Sequence, residues 1–422
     1  MQHIVIGAGP SGVIAAETLR KLQPAASVTL IGDEPEAPYS RMAIPYFLIK
    51  QIAEQGTHLR KSSDHFTKRN INVLQKRVEG LDRAAKQLTL AGGDKLAYDN
   101  LLIATGSRPV SPPIPGIDLP GVTSCWTLAD ARRIAATAKP GARVVLMGAG
   151  FIGCIILEAL AKSGASLTVV EMEGRMVPRM MNDTAGGMIK DWCQEHGVTV
   201  HTSTKVNAIE QHGSALRVVL NTGTTVDVDM VVSATGVRPN IDLVKGSGIE
   251  TDQGILVNRR MQTNDPSVFA AGDVAQGVDF STGEFSVQAI QPTAADHGQL
   301  AARNMVGQAG AVHRGCVNMN VLDTLGLISS SFGLWMGKTG GDSAELLNRE
   351  RYRYLNLQFE DDVLVGATSL GLTQHVGVLR GLIQTKTRLG TWKKKLVADP
   401  TRIMEAYLAS TQAVGFNAGV LK

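Results

Sequence analysis

One glycine pattern occurs twice in this 422-residue chain, and it limits the fold more than any other feature. Gly7, Gly9 and Gly12 in IVIGAGPSG return as Gly148, Gly150 and Gly153 in VVLMGAGFIG. Each copy follows a β-branched apolar run and precedes a helix-like stretch. In such a GxGxxG turn the first glycine permits a tight bend and the second admits a pyrophosphate. The third lets helix and strand pack closely, and the phosphates meet the positive end of the helix. One copy alone is weak, but two in the right context predict two dinucleotide sites.

The local pattern around each copy reads as a βαβ unit. His3 to Ile6 is a predicted strand, Val13 to Leu22 a helix and Ser27 to Ile31 a second strand. Arg143 to Met147, Ile152 to Ser163 and Ser166 to Val170 repeat that order. The strands are continuous apolar runs, as in parallel sheets covered on both faces. ATGSRP at 104–109 also returns, as ATGVRP at 234–239, each after an apolar strand.

The predicted fold class is therefore α/β, with two Rossmann-like (three-layer ββα) nucleotide-binding domains, one inserted in the other. A C-terminal α+β domain follows. PVSPPIPG, from Pro109 to Gly116, is a stiff connector that neither strand nor helix can cross. Residues 1–112 and 236–312 form one expected nucleotide domain, 113–235 the inserted one, and 313–422 the last. In that last stretch Tyr352 to Phe359, a turn at Asp361 and Asp362, and Val363 to Leu370 read as a hairpin, followed by two helices.

Composition narrows the function classes. A net charge of +4 makes no case for a nucleic-acid partner. Cys125, Cys154, Cys193 and Cys316 are far apart with no CxxC, against a redox disulfide or a Cys-rich zinc site. His297 and His375 lack metal-ligand spacing, so no metal is expected. Val144 to Leu157, the longest uncharged stretch, is broken by glycines and is followed at once by Glu158, so no membrane span is expected. The N-terminus lacks a signal pattern, which favours the cytoplasm.

Two dinucleotide sites point to a flavin held permanently and a nicotinamide that visits. Glu171, ending LTVVE about 20 residues beyond the second glycine turn, is placed to accept from a ribose 2′-hydroxyl and to repel a 2′-phosphate. That favours NADH over NADPH, with Arg175 close enough to soften the preference. In the first copy LIGDE offers Asp33 or Glu34 for the corresponding role. Asp273, after the apolar run in TNDPSVFAAGDV, is placed to bond sugar-alcohol hydroxyls.

The order GAGPSG, DEPEAPYSR, ATGSRP, GAGFIG with Glu158 and Glu171, ATGVRP, then AAGDV resembles the FAD-dependent pyridine-nucleotide disulfide oxidoreductase superfamily. Within it the chain is similar to the single-flavin branch of ferredoxin and rubredoxin reductases, NADH oxidases and coenzyme A disulfide reductases. The resemblance covers about residues 1–310. It implies FAD at the first site, with Arg41, Val78, Thr105, Gly106 and Asp273 beside the glycine loop. NADH takes the second, with Gly236 and Glu171. The C-terminal domain would supply a dimer interface or close the flavin pocket.

Where thiol-handling members carry a reactive cysteine, this chain has Met42 in Met42-Ala43-Ile44-Pro45-Tyr46. A thioether forms neither thiolate nor mixed disulfide, so that chemistry is removed. Tyr46 stands where ferredoxin-reductase relatives carry a lysine. Glu158 and Arg41 are the catalytic candidates: Glu158, left without that partner, pairs with Arg41, meets a nicotinamide amide, or is a helix-face acid. A basic run, Lys386, Arg388, Lys393, Lys394, Lys395 and Arg402, is a candidate steering surface for an acidic carrier or a solvated helix face.

The resemblance then implies an NADH-dependent FAD reductase that passes electrons to a ferredoxin- or rubredoxin-like protein or a partner redox subunit. Two other readings stay open. One is an NADH oxidase or quinone reductase with a small acceptor, and the other an NADH-responsive flavoprotein acting as a sensor or interaction subunit.

Overall fold

In the computed structural model, which describes residues 1–308 and 310–418, both glycine motifs close a βαβ unit. The first comprises β1 (Gln2–Ile6), α1 (Pro10–Leu22) and β2 (Ser27–Gly32). The second comprises β3 (Arg143–Met147), α2 (Phe151–Lys162) and β4 (Ser166–Val170). Strand pairing in each is parallel and in the same register: Ile6 lies opposite Ile31, and Met147 opposite Val170.

The chain forms two compact units. The first contains Met1–Val110, Val237–Asp279 and Gly283–Cys316; the second contains Ser111–Gly236, Phe280–Thr282 and Val317–Lys422. In the first unit a five-stranded parallel sheet runs in the order Ile71–Gln75, β2, β1, Asn100–Ile103, Val268–Ala270. Ile4, Val5, Leu30, Leu101 and Leu102 are fully or almost fully inaccessible to water. Each such side chain contributes roughly 1.5–3 kcal/mol of burial. α3 (Gln291–Met305) packs against α1 at a contact only glycine allows: a β-carbon on Gly298 would lie 2.2 Å from the carbonyl oxygen of Ser11.

The sheet of the second unit repeats this plan as Thr199–His201, β4, β3, Met230–Ser233, Val122–Ser124, all parallel. One difference is topological. The fifth strand of the first sheet comes late in the chain, whereas that of the second precedes its own glycine motif. Each unit also carries a three-stranded antiparallel meander before its fourth sheet strand, at 78–97 and 206–228.

The C-terminal part of the second unit is a five-stranded antiparallel sheet with helices. The hairpin expected at 352–370 forms from Arg353–Glu360 and Val363–Leu370, with Asp361 at φ 53° in the turn. Three helices follow rather than the two expected: Val376–Thr385, Trp392–Ala398 and Ile403–Ala418. The last two are separated by residues 399–402, where Asp399 precedes Pro400, and the residue before a proline is pushed out of the helical region. Among the described residues no helix is long and apolar enough to cross a membrane.

Candidate functional site

The two glycine loops have the same steric anatomy. Gly7 has φ 113° and Gly148 φ 96°, and a β-carbon there would lie 2.0 Å from the Ala104 oxygen and 2.6 Å from the Ala234 oxygen, respectively. At Gly12 and Gly153 it would lie 1.8 and 2.2 Å from the carbonyl oxygens of Gly7 and Gly148. At Gly9 and Gly150 it would meet nothing within 4 Å. The first and third glycines of each motif are thus sealed against backbone, and the middle one faces open space. Gly9 and Gly150 are also the N-cap residues of α1 and α2, and neither helix has a side-chain cap. Uncapped first-turn amides beside an open glycine could receive a pyrophosphate.

Around the first loop three parallel strands end together. Ala104 N–H donates to the Ile6 oxygen at 2.7 Å, and Ala271 N–H to the Ile103 oxygen at 3.0 Å. Gly7, Thr105, Gly106 and Asp273 are therefore brought to one edge of the sheet. Asn240 bridges the turn: its side chain donates to the Thr105 oxygen at 2.9 Å, while the Thr105 hydroxyl donates to the Asn240 oxygen at 3.0 Å. Gly106, at φ 67°, receives the Asn240 N–H on its carbonyl. Ser107 donates to the Asp273 carboxylate at 2.8 Å. Burial raises the Asp273 carboxyl above its ordinary range, opposed by that hydrogen bond and by the Arg41 charge.

Glu34 and Arg41 form an ion pair at 2.6 Å, and Tyr39 donates to Glu34 at 2.6 Å. Asp33 is exposed. In the strand register the residue matching Glu171 is Gly32, so both acids lie beyond that point. Val78 sits on the first meander, opposite Leu90, and packs on the core of its unit. Met42 and Tyr46, on the short helical turns after Ser40, are 44% and 53% exposed.

In the second unit Glu171 is 6% exposed and is held by the loop it adjoins. Its carboxylate accepts from Ala149 N–H at 2.6 Å and from Glu173 N–H at 2.8 Å. An ionised carboxylate has about four acceptor positions, so two remain for hydroxyl groups. Arg175 is spent elsewhere, donating to the Met181 and Pro178 oxygens and pairing with Asp183 at 2.7 Å. Gly236, at φ 117°, has open space where a β-carbon would stand. Glu158 lies on α2 and is ion-paired with Lys162 one turn on. Arg41 has Glu34 as its partner.

All four cysteines are free and buried. Burial pushes the Cys125 and Cys193 thiols up to about 12 and Cys316 to about 11, and raises Cys154 well above its ordinary value. A protonated, inaccessible thiol is a poor nucleophile. The basic run is largely paired within its own domain: Arg388 with Asp362 at 3.0 Å, Lys393 with Asp342 at 2.5 Å, Arg402 with Glu405, and Lys395 over the Trp392 ring at 4.0 Å.

With this geometry in view, the likeness to known proteins is informative. Residues 1–298 match the family model of the pyridine nucleotide-disulphide oxidoreductases. The chain belongs to this family. It is an oxidoreductase working with FAD and NAD(H), and the fold class expected above is borne out. It is 30% identical over 97% of its length to the epsilon subunit of NADH-dependent phenylglyoxylate dehydrogenase from Aromatoleum evansii, covering 98% of that subunit. To rhodocoxin reductase of Rhodococcus erythropolis it is 32% identical, over 73% of this chain and 72% of the other. Among solved structures, the reductase in the covalent putidaredoxin reductase–putidaredoxin complex superposes with a TM-score of 0.89. At 22% identity, covering 97% of this chain and 99% of that one, it shares the fold.

Proposed function

We propose that this flavoprotein passes electrons between NADH and a redox subunit of a larger dehydrogenase, with a ferredoxin- or rubredoxin-like carrier as the related alternative. The supporting observation is coverage. The likeness to rhodocoxin reductase spans 73% of the chain, whereas that to the dehydrogenase epsilon subunit spans 97%, C-terminal sheet and helices included. A C-terminal domain shared at full length with a protein that works as a subunit is suited to docking another subunit.

The chain's own residues fit both cofactors. The first loop, Gly7, Gly9 and Gly12, would take the FAD pyrophosphate on the α1 amides, with Asp273, Thr105, Gly106, Arg41, Val78 and Glu34 or Asp33 around it. The second loop, Gly148, Gly150 and Gly153, would take that of NADH on the α2 amides, with Glu171 on the ribose hydroxyls and Gly236 beside it. We assign residues 1–112 and 236–312 to FAD and 113–235 to NAD(H), and within 313–422 the sheet and helices beyond Cys316 to the partner. The chemistry FAD supplies when bound is acceptance of a hydride and release of single electrons. No side chain is needed as nucleophile, in keeping with Met42 and with four buried thiols. Glu158, ion-paired with Lys162 one turn along its own helix, is read as a helix-face acid. Unpaired cysteines suit a reducing compartment, and we place the protein in the cytoplasm.

Anaerobic stopped-flow reduction by NADH, followed by mixing with a ferredoxin-type iron–sulfur protein, oxygen or a quinone, tests this reading. Reoxidation by the iron–sulfur protein at least tenfold faster than by oxygen or quinone is expected. Oxidation by the small acceptors at equal or greater rate would overturn it.

A further inference from the structure

Three ligand-bearing side chains that the electron-transfer reading does not use converge inside the first unit. His297 lies on α3, and His313 and Cys316 on the segment that follows it. The Cys316 sulfur is 3.6 Å from Nε2 of His297 and 3.5 Å from Nε2 of His313. One donor atom from each of the three lies within 4.8 Å of the others. The rings meet edge to face with centroids 4.8 Å apart, and His297 and Cys316 are 4% and 9% exposed.

Those sulfur–nitrogen separations have a definite chemical meaning. Zinc–sulfur bonds of ~2.3 Å and zinc–nitrogen bonds of ~2.0–2.1 Å at the tetrahedral angle place sulfur and nitrogen about 3.5–3.6 Å apart. Two edges of a coordination tetrahedron are therefore already at length. The cage is anchored on both sides. His313 N–H donates to the Arg259 oxygen at 2.6 Å, and Cys316 bridges to Asp279. Asp279 and Asp296 bring negative charge to bear on Cys316, which offsets part of a cation's excess. Burial lowers the affinity of both imidazoles for protons, which favours the neutral form that ligates. Nδ1 of His297 is buried with no partner in the protein, which leaves that ring free to carry its proton there and turn a lone pair on Nε2 toward the sulfur.

We propose that His297, His313 and Cys316 form a binding site for a zinc-type divalent cation, with two imidazole nitrogens and the Cys316 thiolate as ligands and water in the fourth position. Without the cation, the Gly315 amide at 3.3 Å from Nδ1 of His313 places that ring's proton on Nε2, facing the sulfur. On binding, this proton moves to Nδ1 at the expense of the long Gly315 contact, and the thiol proton leaves. One proton is released per ion and no electron is transferred. The site would tie α3 to the segment ending at Cys316, and it is independent of how electrons leave the flavin.

The test uses the full-length FAD-loaded protein, treated with chelator and titrated with Co2+ and then Zn2+. One equivalent of Co2+ should give a thiolate-to-cobalt charge-transfer band, one equivalent of Zn2+ should abolish it, and one proton should be released. Cys316→Ser should remove the band, His313→Gln should weaken binding at least tenfold with flavin content unchanged, and Cys193→Ser should leave both as they are. A native protein without the band, a band that survives Cys316→Ser, or His313→Gln binding as tightly as the native chain would each overturn the proposal. Should Cys316→Ser not fold, the His313→Gln comparison decides.

Discussion

A single methyl group separates the two roles of glycine in each loop. At Gly12 a β-carbon would collide with the Gly7 carbonyl, so Gly12→Ala must move backbone and should cost about 1–3 kcal/mol of stability. At Gly9 the same group meets no protein atom. Gly9→Ala should keep stability within about 1 kcal/mol yet weaken FAD retention at least tenfold. Denaturant unfolding of the flavin-free chains, with a flavin-release assay, separates the two, and equal behaviour of the variants would contradict this reading of the first loop. Glu171→Gln isolates charge in the second loop, because an amide still accepts a hydrogen bond but no longer repels a phosphate. The ratio of kcat/KM for NADH over NADPH should fall at least fivefold, and an unchanged ratio would remove Glu171 from the ribose site. The glycines were legible in sequence because so few backbone paths need that spacing. The commitment of Arg175 to Met181, Pro178 and Asp183 was not, since those contacts depend on the loop's path.

At the scale of elements, continuous apolar strands announce themselves, while short strands in polar sequence do not. β1 to β4 were readable from Val, Ile and Leu runs, but Val78–Asp82 and Lys95–Ala97 carry charged residues and are partly exposed. The helix Leu128–Thr137 carries its start signal openly, since Thr127 and Asp130 form a reciprocal capping box. Thr127→Ala should lower stability by about 1 kcal/mol, read from the denaturation midpoint. β1 begins with a less obvious commitment. His3 is fully buried, donates a hydrogen bond from Nε2 to Oε1 of Gln23 at 2.7 Å, and is shifted below its ordinary value of 6.5, chiefly by burial. The unfolded chain therefore binds the His3 proton more readily, so this group's contribution is intact above about pH 6.5 and is lost as pH falls below it. His297 and His313, also lowered by burial, act in the same window, so His3→Gln should reduce but not abolish the loss of thermal stability between pH 7.5 and 5.5, and an equally steep loss in the variant would exclude a contribution from His3.

For the whole molecule, internal repetition is what made the architecture visible. Two glycine motifs and two ATGxRP segments define two copies of one sheet plan, and the antiparallel pairing of Ser107–Pro109 with Val237–Pro239 joins the second pair of motifs directly. The approach of His297 to the close pair His313 and Cys316 had no such signal, because the rest of a helix and a loop lie between them in the chain. Duplication also does not say which chemistry follows reduction, and there the thiols decide. Cys125, Cys154 and Cys193 are buried, and their protonated state persists well above neutral pH. If electrons leave without passing through sulfur, iodoacetamide at neutral pH should modify the native protein far more slowly than a free thiol. NADH-to-acceptor turnover should then stay within twofold of the untreated enzyme. The triple variant Cys125→Ala, Cys154→Ala, Cys193→Ala should turn over similarly, at reduced stability, because each change leaves a small void in the second unit. Rapid alkylation accompanied by loss of turnover would place a thiol on the electron path and exclude a route that depends on bound cofactors alone.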